Sequence, residues 1–278
     1  MKETLELRVD YDYAHLLFKA DEGKDLGGLV PFIKAVVISK EDPRYSQIPI
    51  INEEVKKKYG WSFFYGWDIK RKYTKKELDA ATLLHMGINE LFEPTGEQCG
   101  TVYDETIACK ICGANRKQIG SLILKKGTIP KKDIAQTIGG EVVVSEKFVN
   151  IARQRNLRGL QFSPVNVKEY YQLDANIEID LSPNTIVGVN PFDLSTSCEG
   201  EIYKCPNGDT IGLAILSEPY VLSNQSIGKY DFFSSKQKIG VNRGVLRPES
   251  LYFCSQAFRK MIKEEKLTGF WFEVANIE

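Results

Sequence analysis

The residues with the clearest chemistry are cysteines. Cys109-x-x-Cys112-Gly113 has the form of a zinc knuckle: two thiolates two residues apart can reach one tetrahedral ion, and the glycine lets the turn's amides approach the sulfurs. Upstream, Cys99-Gly100 looks like the second half of another knuckle, with Gly96 where its first cysteine would stand. Three cysteines so spaced point to zinc in preference to redox chemistry or merely packed thiols. A closed structural site takes a fourth ligand, and the candidates are Cys205, Cys198, Cys254 and His85. Cys205 is favoured because Cys205-Pro206-Asn207-Gly208 carries the Pro and Gly of a tight knuckle turn, whereas Cys254 reads as a small apolar residue in a strand. The expected site is a structural zinc on Cys99, Cys109, Cys112 and Cys205.

A second group is aromatic. Trp61, Phe63, Phe64, Tyr65 and Trp67 lie close together, just before Lys70, Arg71 and Lys72. Such a cluster forms core, anchors a protein interface or stacks on nucleic-acid bases. Trp61, Phe64, Tyr65 and Trp67 are the candidate partner-binding residues. Other chemistry is sparse. His15 and His85 are the only histidines, and no Ser/His/Asp or Cys/His constellation is evident. Gly240 to Gly244 lacks the spacing of a phosphate-binding loop and reads as a turn. Asp104, Glu105 and Asp209 would be the carboxylates of a hydrolase or nuclease, but nothing in the sequence pairs them.

The elements that must hold these groups announce themselves by repetition. Val142 to Val165 returns as Tyr252 to Ala275 at a constant offset of 110 residues, which places Ser145 on Ser255, Phe148 on Phe258, Leu157 on Leu267, Gly159 on Gly269 and Phe162 on Phe272. Each copy reads as strand, serine N-cap, amphipathic helix, glycine, strand. Phe148, Ile151 and Ala152, and Phe258, Met261 and Ile262, are expected to face inward. Elsewhere Leu5, Leu7 and Val9 alternate as in a half-buried strand, and Ala14 to Ala20 and Phe32 to Ser39 suggest further strands. Glu53 to Lys58 reads as a short helix. Thr74 and Glu77 have capping-box spacing, which predicts a helix to about Leu91 with Leu78, Ala81, His85, Ile88 and Phe92 on one face. Pro130 is expected to open a helix over Lys131 to Thr137, and Glu169 to Asp180 a strand.

With 42% hydrophobic and 11% aromatic residues the chain has the composition of an ordered globular protein. Lys+Arg and Asp+Glu both total 37, so no global basic field exists to hold nucleic acid. The first residues lack the apolar core of a signal peptide and no run reaches membrane-spanning length, so the expected location is cytoplasmic and no membrane partner is expected. The expected fold class is α+β: an N-terminal mixed α/β region over residues 1–93, a zinc-ribbon-like knuckle over 94–128, and a domain with two strand-helix-strand repeats over 129–278.

The segment EQCGTVYDETIACKICGANRKQ, followed by the VVVSEKF…LRGLQFSPV and CSQAFRKMIKEEKLTGFWFEVA units, resembles the double-CXXCG motif proteins and related immunity proteins of bacterial polymorphic-toxin systems. The resemblance spans roughly residues 60–278. It departs at Gly96, where the motif's first cysteine is missing. It implies a non-enzymatic protein that binds and neutralises a cognate toxin, and it carries over no catalytic residues. The alternative reading is a zinc-ribbon nucleic-acid-binding protein, favoured by Lys56-Lys57-Lys58, Lys70-Arg71-Lys72 and Lys125-Lys126 and opposed by the zero net charge.

Overall fold

The computed structural model describes residues 1–26, 32–192 and 203–278. It is a mixed α+β chain in which sheet dominates, and it divides into two compact units. The first holds residues 1–75 with 190–192; the second holds 76–189 with 193–278. The division thus falls after Lys75, not near residue 93, and the knuckle segment belongs to the second unit. No helix among the described residues is long and apolar enough to cross a membrane.

In the first unit the strand Lys2–Asp10 lies between the antiparallel strands Ile33–Ser39 and Phe64–Lys72, with the short strand Lys24–Asp25 outside Ile33–Ser39. Leu5, Leu7 and Val9 are buried as their alternation requires. They pack with Ile48 and Val55 of the helix Ile48–Tyr59 and with Phe63 and Phe64. Asn52, buried on that helix, accepts a hydrogen bond from the Phe63 amide at 2.9 Å, which satisfies a polar group the core would otherwise strand. The strand expected at Ala14 to Ala20 does not form. The Asp10 carboxylate accepts from the Asp12 amide and starts a single helical turn, Tyr11–Ala14, instead.

The second unit contains two groups of four antiparallel strands. In one, Leu160–Pro164 pairs with Tyr170–Ala175, which pairs with Val142–Ser145, which pairs with Ile134–Thr137. In the other, Phe270–Ile277 pairs with Leu83–Ile88, which pairs with Glu249–Cys254, which pairs with Phe232–Ile239. The helices Glu146–Gln154 and Gln256–Glu264 follow Val142–Ser145 and Glu249–Cys254. Ser145 and Ser255 cap them, accepting from the amides of Phe148 (3.1 Å) and Phe258 (3.2 Å). Phe148 and Phe258 are fully buried, with ring centroids 6.0 Å apart in one shared core.

The two groups are locked reciprocally. Asp133 accepts from the Ser145 hydroxyl of its own group (2.9 Å) and from the Thr268 amide of the other (2.8 Å). Asp231 accepts from the Ser255 hydroxyl (2.8 Å) and from the Arg158 amide across the junction (2.9 Å). Gly159 and Gly269 both take φ +99°, and a Cβ there would lie 2.2 Å from the Phe232 carbonyl oxygen and 2.4 Å from that of Ile134. Only glycine permits both the left-handed backbone and the close crossing.

Two expected helices are strands. The capping-box helix ends at Ala80, and Leu83–Ile88 is the central strand between Glu249–Cys254 and Phe270–Ile277. Buried almost throughout, the strand is apolar but for His85 and has no period-two signature to separate it from a buried helix. Ile134–Thr137 is likewise a strand, all four residues buried, because it pairs with Val142–Ser145 across the Gly139-Gly140 turn.

Candidate metal centre

The knuckle sits in a hairpin whose strands are Val102–Asp104 and Lys117–Ile119. At its tip the Cys109 amide donates to the Ala114 carbonyl (2.8 Å) and the Gly113 amide to the Cys109 carbonyl (2.8 Å), so the chain folds back over the first sulfur. A second turn is built alike: the Cys205 amide donates to the Thr210 carbonyl (2.7 Å) and the Gly208 amide to the Cys205 carbonyl (2.9 Å). These two turns, far apart in sequence, face each other. Cys109, Cys112, Cys205 and Asp209 offer ligand atoms that all lie within 4.8 Å of one another, and the four together can hold a metal ion.

The geometry suits tetrahedral coordination. The Cys109 and Cys205 sulfurs are 3.6 Å apart, where two thiolates on one zinc at about 2.3 Å would stand roughly 3.8 Å apart. The environment also favours thiolate. Hydrogen bonding from the Cys112 and Ile111 amides holds the Cys109 thiol below its ordinary value, and Asn207 Nδ2 donates to the same sulfur at 3.5 Å. Burial pushes the Cys112 thiol up, while the Thr210 hydroxyl beside it acts in the opposite sense. Thr210 is buried, and its Oγ1 makes no full hydrogen bond among the described residues. An ionised Cys112 gives that hydroxyl the acceptor it lacks, so the donor set and its surroundings fit a bound cation. Asp209 is oriented by Asn115 Nδ2, which donates to Oδ1 at 2.7 Å.

The ligand set read from the sequence is therefore corrected at one position. Cys109, Cys112 and Cys205 come together, but Cys99 is not in the group, and Asp209 stands in its place. Cys99 ends the one-turn helix Glu97–Cys99, its amide bonded to the Thr95 and Gly96 carbonyls. Its resemblance to half a knuckle is confined to the Cys-Gly pair. Of the other candidate ligands, Cys254 is buried in the Glu249–Cys254 strand, where the sequence reads it as a small apolar residue. His85 lies in a central strand with Nδ1 3.8 Å from Glu273 Oε2. Cys198 falls outside the described residues. Asp209, a candidate hydrolytic carboxylate in the sequence, joins the cysteines by proximity, four residues after Cys205 in the same turn.

The candidate partner-binding residues separate by depth. Trp61 and Tyr65 are 47% and 54% exposed, Trp67 is half-buried, and Phe64 is buried against Phe192. Phe64 is thereby corrected from contact residue to core. Trp61 stacks on Tyr59 at 5.9 Å, and Tyr59 meets Tyr13 at 4.9 Å, so these three rings form a small continuous group, with Tyr65 exposed apart from it. Tyr65 donates to Asp10 Oδ2 at 2.8 Å, and that bond, with burial second, pushes its hydroxyl up to about 12. The neighbouring cations are paired. Lys70 bonds Glu6 at 2.5 Å and Arg71 bonds Glu3 at 2.9 Å. No family model matches the chain, and no curated protein is similar to it.

Proposed function

We propose that the chain is a non-enzymatic cytoplasmic binding protein, an immunity protein that neutralises a cognate toxin, with zinc as a structural ion on Cys109, Cys112, Cys205 and Asp209. The observation that carries the binding role is the exposure of Tyr59, Trp61 and Tyr65, since large rigid side chains left in water serve interfaces well. Three thiolates select zinc over harder cations, and four protein ligands close the coordination sphere, which suits a structural ion better than a catalytic one. When bound, zinc would neutralise the thiolates and cross-link the two turns. The reading also takes the two strand-helix-strand segments as copies of one unit, supported by their matching caps and glycines. A nucleic-acid role has less support: Lys70 and Arg71 are engaged by Glu6 and Glu3, and the formal net charge is zero.

The test is binding to the product of a toxin gene adjacent to this one. Replacing Trp61 and Tyr65 with alanine should weaken that complex at least tenfold by calorimetry, with the melting temperature shifted by no more than a few degrees, as for exposed side chains. Unchanged affinity in the double variant would remove this face as the contact, and a neighbourhood without any toxin gene would count against the immunity role.

A further inference from the structure

Behind the metal-bearing hairpin lies a cleft of about 290 Å³ that neither the metal nor the aromatic face uses. Tyr103, Asn115, Arg116 and Gln118 of the hairpin form one wall, and the strands carrying Asp174, Lys238, Glu249 and Tyr252 form the other. The Gly139-Gly140 turn closes one end. Its lining is strongly polar, and many of its groups are already engaged with one another. Arg116 lies 3.7 Å over the Tyr103 ring and bonds Glu97 (2.6 Å) and Glu105 (3.3 Å). Arg247 bonds the same Glu97 at 3.0 Å. Glu141, almost fully buried, accepts from the Tyr103 hydroxyl at 2.5 Å and from the Thr137 hydroxyl. Gln118 and Gln172 exchange a pair of 2.9 Å hydrogen bonds.

What remains unsatisfied is mainly negative. Asp174 has no hydrogen-bond or ion-pair partner among the described residues, and burial alone pushes its carboxyl up. Glu249 accepts one hydrogen bond, from Gln136 Nε2 at 2.5 Å, and burial raises its carboxyl to about 7, with Glu141 adding repulsion and Gln136 and Lys238 opposing. Both carboxylates act on the Tyr252 hydroxyl, which lies with them in the lining. Arg116 and Arg247 also line the cleft, but Glu97 and Glu105 engage them. The remaining cation is Lys238, itself desolvated, whose amine bonds Ser250 Oγ at 2.9 Å. Two carboxylates thus face one amine not held in an ion pair, and the free charge of the lining is negative on balance.

We propose that this cleft binds a small organic cation, a guanidinium or alkylammonium group, held by Asp174 and Glu249 against the ring of Tyr252. A planar guanidinium presents five donors to acceptors that otherwise face an empty space, and a cation over a tyrosine ring gains further attraction. The group arrives either on a free amine or on a basic side chain of a protein. The metal site has a part in this: Asn115, which orients Asp209, lines the cleft together with Gly113 of the knuckle, so the clamp on the hairpin also fixes a cleft wall.

The experiment is calorimetric titration of the full chain, purified without chelator, at pH 8. The probes are agmatine, acetyl-Gly-Arg-Gly-amide, and the same peptide with citrulline, whose urea is a neutral match for the guanidinium. Agmatine or the arginine peptide should bind saturably and the citrulline peptide at least tenfold more weakly. Tighter binding of agmatine assigns the site to free amines; tighter binding of the peptide assigns it to protein side chains. D174N and E249Q should each lower the affinity at least tenfold, and K238M, which removes the opposing charge, should raise it severalfold. Below pH 7 the affinity should fall as Glu249 takes up its proton, in the field of Glu141, Asp174, Lys238 and Tyr252. E249Q relieves a buried charge and is expected to fold, so it decides the matter if D174N does not. Equal binding of the citrulline and arginine peptides, no saturation by either cation, or affinity unchanged in E249Q would overturn the proposal. Replacing Trp61 and Tyr65 should leave agmatine binding intact, which separates this site from the toxin-binding reading.

Discussion

At Glu249 the fold sets a protonation state that the stability of the protein should report. Burial disfavours the charge and raises its carboxyl to about 7 in the folded chain, against an ordinary value near 4.5. Between those values the folded chain holds a proton that the unfolded chain has released, so stability falls as pH rises from about 4.5 to 7 and stays lowered above. The difference amounts to ~3 kcal/mol. Glu249→Gln should therefore match the parent's denaturation midpoint near pH 4.5 and exceed it at pH 8; equal midpoints at both pH values would show that the carboxylate is better solvated than its surroundings suggest. The metal ligands divide at the same scale. Cys109, Cys112 and Cys205 are legible because thiolates beside Gly and Pro have a turn signature. Asp209 is not, because carboxylates are frequent in surface turns and only its proximity to Cys205 and Asn115 distinguishes it. Cys99 has the right neighbour in Gly100, but its own turn belongs to the Glu97–Cys99 helix and it does not join the group.

Among the elements, the two capped helices follow most directly from the sequence. Serine, helical spacing of apolar residues and a glycine past the end are local signals, and at Ser145–Gly159 and Ser255–Gly269 they agree with the tertiary packing. The two helices also meet across charged side chains, where Arg155 pairs with Glu264 at 2.6 Å and with Glu265. Since Phe148 and Phe258 occupy corresponding, fully buried positions, truncating either to alanine should cost ~3–5 kcal/mol in denaturant unfolding. A cost several-fold smaller at one of them would mean that the two sites are not packed alike. The strand Leu83–Ile88 was not legible. Its counterpart, Tyr170–Ala175, follows Leu160–Pro164 directly, whereas Leu83–Ile88 precedes the rest of its group in the chain. A repeat sought at a fixed offset therefore stops at strand-helix-strand. Leu83–Ile88 is also buried on both faces with His85 its one polar side chain, which leaves its helix-like spacing unopposed by any alternation.

For the molecule as a whole, the candidate metal centre brings together the ligand residues of two segments distant in sequence. The hairpin Val102–Asp104 and Lys117–Ile119 is an isolated two-stranded pair, which is marginal in water without further support. Thr210–Gly212, beyond the second turn, is anchored by pairing with Phe232–Ile239. An ion on Cys109, Cys112, Cys205 and Asp209 would tie the first to the second, and binding at such Cys-rich sites can supply ~10–16 kcal/mol of apparent free energy linked to folding. The hairpin in turn carries Tyr103, which donates to Glu141, and Arg116, which pairs with Glu97. The most direct measurement is zinc X-ray absorption on protein purified without chelator. The account predicts one zinc per chain with three sulfurs at about 2.3 Å and one oxygen at about 2.0–2.2 Å, the oxygen lost in Asp209→Ala. Four sulfurs around the ion, or a chain that carries no zinc, would contradict it.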